Sequence, residues 1–227
     1  MDEDVKELRK SVLKTGTSIV GIVCRDGVVM AADRQVTAGN LVMNKNFKKV
    51  TQINDYLVIS WTGGAADAQM LTRIIVAELR LKELRSKQRP SVKEAASLIS
   101  MMSYRNIRQF STIINIVGTL ITGYNEDGTV ELYTIEPAGS VYKVEDYDAN
   151  FGSGMPFMLG LLERRYNKNI TVKEGVELAV ECLKSSTQRD IGSGFGIDVF
   201  IITKDGIKKE IEQEIVSEYR ERKEKKE

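Results

Sequence analysis

The sequence contains no histidine, and this absence excludes several catalytic classes. Ser-His-Asp and Cys-His catalysis need an imidazole base, and His-ligated zinc sites are excluded as well. A hydrolase of this composition has to use a carboxylate, a lysine or a terminal amine as its base. The two cysteines, Cys24 and Cys182, are too few for a disulfide framework or a four-cysteine metal site. Both lie in apolar stretches, which predicts buried free thiols.

Long apolar runs and an excess of one charge are also missing. No uninterrupted apolar stretch approaches the roughly 18 residues of a membrane span, and the N-terminal residues lack the apolar core of a signal peptide. The 33 basic and 32 acidic side chains give a net charge of +1, which argues against a nucleic-acid partner. The 227 residues are 42% hydrophobic. This composition predicts one globular domain with a real core, and we expect a cytoplasmic protein that has neither nucleic-acid nor membrane partners.

Hydrophobic periodicity predicts strand pairs separated by helix pairs. The predicted strands cover residues 18–25, 28–33, 49–53, 56–61, 113–123, 129–136, 141–144, 149–151, 197–203 and 207–211. The predicted helices cover residues 65–87, 92–109, 155–166 and 172–188. Two of them open with capping boxes, at Ser91 and Thr171, in which the hydroxyl and a following Glu satisfy free N–H groups.

This order of elements predicts an α+β protein. Strands that arrive as hairpins form antiparallel sheets, and helices that come in pairs do not build alternating βα units. Two stacked sheets with a helix pair outside each, a four-layer αββα sandwich, would bury all the apolar faces. Residues 1–16 form a polar, charge-balanced arm, residues 17–211 form the domain, and residues 212–227 form a charged tail or solvated terminal helix.

Three reactive side chains are expected at one rim of the first sheet. Thr17 immediately precedes the first strand, Asp33 ends the second strand, and Lys49 begins the third. Hairpin geometry brings the start of one strand beside the end of the next. The Asp33–Lys49 pair can equally be a structural ion pair. The glycine-rich turns at 152–154 and 190–194 can be ordinary turns, and the run at 192–196 lacks the Lys-Ser/Thr of a phosphate-binding loop.

Taken together, these motifs resemble those of archaeal proteasome β subunits, which are N-terminal nucleophile threonine proteases. The resemblance covers nearly all of residues 14–211. It rests on an ordered set of motifs: Gly16-Thr17, Ala32-Asp33-Arg34, Lys48-Lys49, GGAADAQ at 63–69, GSG at 152–154, Gln188-Arg189-Asp190 and Ser193-Gly194. It implies the four-layer sandwich of the N-terminal nucleophile hydrolases and requires no metal or organic cofactor.

The resemblance also implies roles for individual residues. Cleavage between Gly16 and Thr17 would remove residues 1–16 as a propeptide and free Thr17, whose hydroxyl is the nucleophile and whose α-amine relays the proton. Lys49, paired with Asp33, would assist the hydroxyl, and the N–H of Gly63 would stabilise the oxyanion. The hydrogen-bonding group around the terminal amine would be Ser153, Asp190 and Ser193. The substrate-binding positions would be Val36, Thr37, Phe47, Trp61 and Ala65.

Three positions depart from the family pattern. Residue 18 is Ser where many members have Thr, and Trp61 and Phe47 stand where the substrate pocket usually has smaller side chains. Two hypotheses therefore remain open. The chain is an active threonine endopeptidase, or it is a processed but weakly active, mainly structural β subunit that supports a more active paralogue because the two rings fill its pocket.

The resemblance implies a large assembly as well. Such subunits form heptameric β rings, here possibly shared with a second β paralogue. Rings of α subunits cap the β rings, and an unfolding ATPase feeds unfolded polypeptide through them.

Overall fold

The computed structural model describes residues 16–111, 115–216 and 218, and within these residues two five-stranded sheets form the centre of the molecule. The elements follow one another in this order: β1 (Ile19–Cys24), β2 (Gly27–Asp33), β3 (Val36–Ala38), β4 (Leu41–Asn44), β5 (Val50–Gln52), β6 (Leu57–Gly63), α1 (Ala65–Ser86), α2 (Val92–Arg108), β7 (Val117–Tyr124), β8 (Val130–Ile135), β9 (Val141–Lys143), β10 (Tyr147–Asp148), α3 (Met155–Arg165), α4 (Val172–Thr187), β11 (Gly196–Thr203) and β12 (Gly206–Glu214).

Every strand pairing in these sheets is antiparallel, as the hairpin pattern predicts. The first sheet has the order β10-β1-β2-β11-β12, and the second has the order β5-β6-β7-β8-β9. In the first sheet Ile19 pairs with Ala32, and Asp33 pairs with Ile197. The beginning of β1, the end of β2 and the beginning of β11 therefore meet at one rim.

Three apolar clusters separate four layers. One lies between the two sheets and includes Ile19, Val58 and Leu120. A second packs α3 and α4 on the outer face of the first sheet, and a third packs α1 and α2 on the outer face of the second sheet. The α+β fold class and the αββα sandwich are confirmed.

The two predicted capping boxes are present. The Ser91 hydroxyl accepts a hydrogen bond from the N–H of Glu94, whose carboxylate accepts from the N–H of Ser91. Thr171 and Glu174 make the same reciprocal pair at the start of α4. Each box satisfies N–H groups that the first helical turn leaves free, so both helices begin where the sequence predicts.

The strands differ from the prediction in several places. The predicted strand 149–151 is wrong, because β10 ends at Asp148 and Asn150 has a left-handed φ of 48°. The hairpin of β3 and β4 was not predicted. Within the predicted strand 113–123, residues 112–114 lie outside the described residues and β7 begins at Val117.

The predicted charged tail begins later than residue 212. β12 continues through Glu214, and the guanidinium of the buried Arg34 donates to Glu212 (2.9 Å) and to Asp198 on β11 (2.6 Å). These partners hold the end of β12 in the first sheet. Residues 1–15 of the predicted arm (1–16), and residues 217 and 219–227 of the predicted tail (212–227), lie outside the described residues.

Both cysteines are buried and unpaired, as predicted, and burial raises the pKa of each thiol to about 12. None of the helices in the described part of the chain combines the length and apolarity that crossing a membrane requires. The described residues contain no group of three or more Cys, Asp or Glu side chains placed to hold a metal ion.

Candidate active site

Thr17 lies just before β1, enclosed by the turn at residues 152–154. Its N–H donates to the Ser153 hydroxyl (3.0 Å), and its carbonyl accepts from the N–H of Gly154 (3.1 Å). A Cβ at Gly152 would lie 2.3 Å from the Thr17 carbonyl oxygen. The glycine therefore lets the turn approach the Thr17 backbone, and the backbone position of Thr17 is fixed from both sides.

The carbonyl oxygen of Gly16 receives two hydrogen bonds. The Thr17 hydroxyl donates to it over 2.6 Å, and the Lys49 ammonium donates over 3.2 Å. The N–H of Gly16 donates to the Thr37 hydroxyl (3.1 Å). The peptide bond between Gly16 and Thr17 is thus held beside the hydroxyl that follows it, with a cation on its carbonyl oxygen.

Gly16 also makes close backbone contact with Gly192. A Cβ on Gly16 would lie 2.0 Å from the Gly192 Cα, and a Cβ on Gly192 would lie 2.2 Å from the Gly16 Cα. Neither position can carry a side chain without moving backbone. Glycine is required at both positions because the two backbones touch, and not because either residue has a left-handed φ angle.

Asp33 is fully buried at the end of β2, and its two oxygens accept four hydrogen bonds. Oδ1 accepts from the Lys49 ammonium (2.7 Å) and the N–H of Ser18 (2.9 Å). Oδ2 accepts from the N–H groups of Gln35 (2.9 Å) and Gly194 (3.0 Å). The Asp33–Lys49 ion pair is therefore built into the backbone of the rim, and it also lies against the Gly16 carbonyl.

Burial lowers the pKa of the Lys49 ammonium below its ordinary value, while the nearby Asp33 carboxylate and the more distant Asp190 carboxylate oppose this shift. The Lys49 side chain is 4% exposed. A lysine in this setting gives up its proton more readily than a surface lysine, yet its position is fixed by Asp33.

Ser153, Asp190 and Ser193 form one hydrogen-bonded group. Both hydroxyls donate to Asp190 Oδ2 over 2.6 Å, and the N–H of Gly192 donates to Oδ1 over 3.0 Å. Ser153 is at the same time the acceptor for the N–H of Thr17. The structure thus brings the predicted amine-binding group to the Thr17 nitrogen.

A cavity of about 580 Å³ opens beside Thr17. Its lining includes four of the predicted substrate-binding residues, Val36, Phe47, Trp61 and Ala65, together with Lys49 and Gly63. The fifth, Thr37, binds the Gly16 N–H instead.

The Trp61 and Phe47 rings line this cavity without filling it. Trp61 is 8% exposed because its ring packs into the core beneath α1 and α2, and Phe47 is half-buried. The charged side chains in the lining are Lys48, Lys49 and Arg73, and no carboxylate from the described residues is among them.

Two buried side chains next to the site, Ser18 and Ser186, are given no role by the sequence analysis. The Ser18 hydroxyl contacts the hydroxyls of Ser193 (2.7 Å) and Ser186. A signal for Ser186 existed, since it continues the buried face of α4 that carries Ala179, Cys182 and Leu183.

A third missed residue, Asn150, joins the turn at 150–154 to the second sheet. Its Oδ1 accepts from the Thr62 hydroxyl and its Nδ2 donates to the Thr134 hydroxyl, each over 2.9 Å. Asn tolerates the left-handed backbone that this position adopts, which is a weak sequence signal.

Comparison with known proteins agrees with this geometry. The family model described as Proteasome subunit matches residues 13–202. A proteasome subunit beta of Nanoarchaeum equitans is 40% identical over 193 residues, which are 85% of this chain and 96% of that protein. The subunit beta of Archaeoglobus profundus is 40% identical over 200 residues (88% and 90%), and that of Methanopyrus kandleri is 37% identical over 212 residues (93% and 98%).

The matched region contains every position predicted to be catalytic or substrate-binding, and the described fold is the four-layer sandwich that the motifs predict. The chain belongs to the proteasome subunit family, as a β subunit of the archaeal type.

Proposed function

We propose that this chain is a threonine endopeptidase that releases its own nucleophile by cleaving the bond between Gly16 and Thr17. One observation carries the proposal: the Thr17 hydroxyl and the Lys49 ammonium both hydrogen-bond the Gly16 carbonyl oxygen. Because the chain has no histidine, a mechanism that uses only a threonine, a lysine and a terminal amine also fits its composition.

In the self-cleavage step, the Thr17 oxygen attacks the Gly16 carbonyl carbon and loses its proton. Negative charge develops on the Gly16 oxygen, where the Lys49 ammonium already donates. The C–N bond then breaks, the Thr17 nitrogen takes up a proton, and an ester joins the Gly16 acyl group to the Thr17 oxygen. Water hydrolyses this ester, which releases residues 1–16 and leaves Thr17 with a free amine.

In peptide hydrolysis, the free amine of Thr17 accepts the proton of the Thr17 hydroxyl. An α-amine has an ordinary pKa of about 7.7–8.0 and is partly neutral near pH 7. Ser153 binds the Thr17 nitrogen and is itself held by Asp190, and we assign the N–H of Gly63, which lines the cavity at the end of β6, to the developing oxyanion. The protonated amine gives its proton to the peptide nitrogen as the C–N bond breaks, which releases one product and leaves the acyl group as an ester on Thr17, and water then hydrolyses this ester.

The cavity supports polypeptide substrates with a bulky apolar side chain before the cleaved bond. Apolar residues form much of its wall, and its volume of about 580 Å³ accommodates such side chains. The cations Lys48, Lys49 and Arg73 disfavour a basic side chain there. The hypothesis of a pocket filled by Trp61 and Phe47 finds no support in this open cavity.

As a family member the chain assembles with other proteasome subunits. The finer parts of the proposal are heptameric β rings, α rings that cap them, an ATPase that delivers unfolded polypeptide, and a cytoplasmic location. In such a closed chamber the 1–16 segment keeps Thr17 blocked until assembly, by analogy with the family.

The test uses particles assembled with the natural partner subunits, with no other active subunit present. We expect intact mass to show the loss of residues 1–16 in the wild type and their retention in Thr17→Ala, which should also lose hydrolysis of unfolded protein and fluorogenic peptides. Thr129→Ala, at an exposed position between β7 and β8, is the matched control. A full-length chain in finished wild-type particles, or unchanged turnover by Thr17→Ala, would contradict the proposal.

A further inference from the structure

Two buried hydroxyls extend the Asp190 group away from the cavity, and the proposed mechanism makes no use of them. The Ser18 hydroxyl lies 2.7 Å from the Ser193 hydroxyl and contacts the Ser186 hydroxyl on its other side. Ser18 and Ser186 are fully buried, and Ser193 is 4% exposed. Bulk solvent therefore does not reach the Ser18 and Ser186 hydroxyls.

The direction of each hydrogen bond follows from counting protons. A serine hydroxyl has one proton, and Ser193 donates its proton to Asp190. Ser18 must therefore donate to Ser193, and Ser186 must donate to Ser18. The row is a one-way donor chain that begins at Ser186 and ends on the Asp190 carboxylate, which Ser153 approaches from the other side.

The surrounding backbone is adapted to this chain. A Cβ at Gly154 would lie 1.8 Å from the Ser18 hydroxyl oxygen and 2.4 Å from that of Ser186, so the second glycine of the GSG turn makes room for the pair. The carbonyl of Ser186 accepts the N–H groups of Arg189 (3.0 Å) and Asp190 (2.8 Å). Ser186 thus holds Asp190 through the end of α4 as well as through the hydroxyls.

We propose that Ser186 and Ser18 are positioning residues that act through Ser193 on Asp190 and thereby set the basicity of the Thr17 amine. The inference rests on the proposed function, in which that amine is the base. The Ser193 hydroxyl, polarised by the Ser18 and Ser186 hydroxyls behind it, draws negative charge away from Asp190 Oδ2, because hydrogen bonds in a row polarise one another. Ser153 donates to the same oxygen. Asp190 then stabilises the protonated amine less, and more of the amine is neutral at a given pH.

Removing a hydroxyl from this donor chain is expected to shift the pH dependence of peptide hydrolysis in one direction. The charged groups around the Thr17 nitrogen are Asp33 at the end of β2, Lys49 before β5 and Asp190 after α4. The mutations leave all three in place. Loss of the donor chain concentrates charge on Asp190, raises the pKa of the amine and moves the acidic limb of the profile to higher pH. A shift of about 0.3–0.5 pH unit is expected, because the neutral hydrogen bond that is lost reaches the amine only indirectly, through Asp190 and Ser153.

The experiment uses assembled particles in which residues 1–16 are replaced by ubiquitin, so that a ubiquitin hydrolase exposes Thr17 without self-cleavage. The variants are Ser186→Ala and Ser18→Ala, with Ser18→Thr as the conservative variant that keeps the hydroxyl. Ser185→Ala is the matched control, since Ser185 is the half-buried neighbour of Ser186 on α4 and its hydroxyl donates to the Phe157 carbonyl instead. The amine pKa is measured from the pH dependence of acetylation of Thr17 by acetic anhydride, followed by mass spectrometry. Hydrolysis of a fluorogenic peptide is recorded over the same pH range.

The expected result is a raised amine pKa in Ser186→Ala and Ser18→Ala, and wild-type values in Ser18→Thr and Ser185→Ala. The same amine pKa in all five proteins would overturn the inference, as would an equal shift in Ser185→Ala. If Ser186→Ala does not assemble, the Ser18→Ala and Ser18→Thr pair decides alone. Particles that show the amine shift but hydrolyse no peptide would leave the inference standing and contradict the proposed function.

Discussion

Replacing Asp33 by Asn is expected to destabilise the chain strongly because of how its four hydrogen bonds are arranged. Each carboxylate oxygen accepts from two N–H donors. An asparagine side chain keeps one oxygen and turns the other into an NH₂ group, which then faces two donors. Whichever orientation the amide adopts, two hydrogen bonds are lost and two N–H groups are opposed.

Two estimates of the cost agree. Losing two hydrogen bonds to a charged group costs about 3–6 kcal/mol. Leaving the ammonium of Lys49 buried without its partner costs about 3–5 kcal/mol, and Lys49 is only 4% exposed. These describe the same change and are not additive. We expect Asp33→Asn to lower the free energy of unfolding by about 3–5 kcal/mol, which is a large part of the stability of a typical domain.

Urea unfolding of the full chain, followed by circular dichroism, measures this difference. The matched control is Asp205→Asn, an identical substitution at an exposed residue in the turn between β11 and β12. It should change the free energy of unfolding by less than about 0.5 kcal/mol. In assembled particles, Asp33→Asn should also retain residues 1–16, because Lys49 is no longer held as a cation on the Gly16 carbonyl.

The reasoning is refuted if Asp33→Asn unfolds within about 1 kcal/mol of the wild type, below the lower bound of both estimates. Normal removal of residues 1–16 in a destabilised variant would refute the second half alone. Asp33 would then support the fold without supporting the chemistry.

Three further predictions concern the cavity, the cleavage site and the acid stability of β12. Arg73→Glu should raise kcat/KM for peptides with Lys before the cleaved bond, relative to Leu, by about three- to tenfold. Gly192→Ala should slow self-cleavage about 100-fold, since its Cβ displaces Gly16, and should slow peptide hydrolysis much less in a chain freed at Thr17 by ubiquitin hydrolase, where the Cβ still lies 3.0 Å from the Ser153 hydroxyl oxygen. Glu212 has its pKa lowered from 4.5 to about 2 by the Lys209 and Arg34 donors, so it stabilises the fold above pH 4.5 and this contribution is lost as pH falls towards 2. Glu212→Gln should be less stable at neutral pH and lose less stability over that acid range, as measured by thermal unfolding at stepped pH.

Each of these has a control in the chain. Arg80→Glu reverses a charge on the same helix outside the cavity. If it raises kcat/KM for the Lys peptides as much as Arg73→Glu does, the effect comes from the overall charge and not from the cavity. Gly160→Ala adds a Cβ where no atom lies within 4 Å, so slow self-cleavage in both glycine variants would argue against contact with Gly16. Glu177→Gln removes an exposed carboxylate from α4, and an acid profile identical to that of Glu212→Gln would contradict the role given to β12.

The helices could be predicted closely because their signals are local. The Ser91 and Thr171 boxes need only residues within one turn, and the structure has both helices starting immediately after them. Most strands joined by tight turns were also predicted correctly, because their turn signals are local. Fold class followed from the order of these elements, since hairpins and helix pairs leave few ways of burying the apolar faces.

The parts that failed depend on distant partners. The alternating charges after residue 211 predict a solvated tail, yet Glu212 lies in β12 because it meets Arg34, which is far away in the sequence. Asn150 ends the pairing of β10 because its side chain binds Thr62 and Thr134 of the other sheet. No local pattern contains this information.

Only part of the candidate site could be predicted from the sequence. Thr17 and Asp33 could be placed at one rim from hairpin geometry. The expectation that the strand of Lys49 lies alongside them in the same sheet was wrong, because β5 belongs to the second sheet, and Lys49 reaches Asp33 where the two sheets face each other. The catalytic roles of all three stay predictions. Ser18 and Ser186 could not be joined to the site in advance, since their contact depends on how α4 packs against the beginning of β1.

The groups proposed for the chemistry come from both sheets. Thr17 and Asp33 belong to the rim of the first sheet, whereas Lys49 immediately precedes β5 and Gly63 ends β6 in the second. The two sheets touch through apolar side chains such as Ile19 and Leu120. A chain on the ribosome, or one misfolded with its sheets undocked, therefore holds nucleophile and ammonium apart. Docking of the two sheets is therefore what brings the Thr17 hydroxyl and the Lys49 ammonium to the same carbonyl oxygen, so the proposed self-cleavage requires the completed fold.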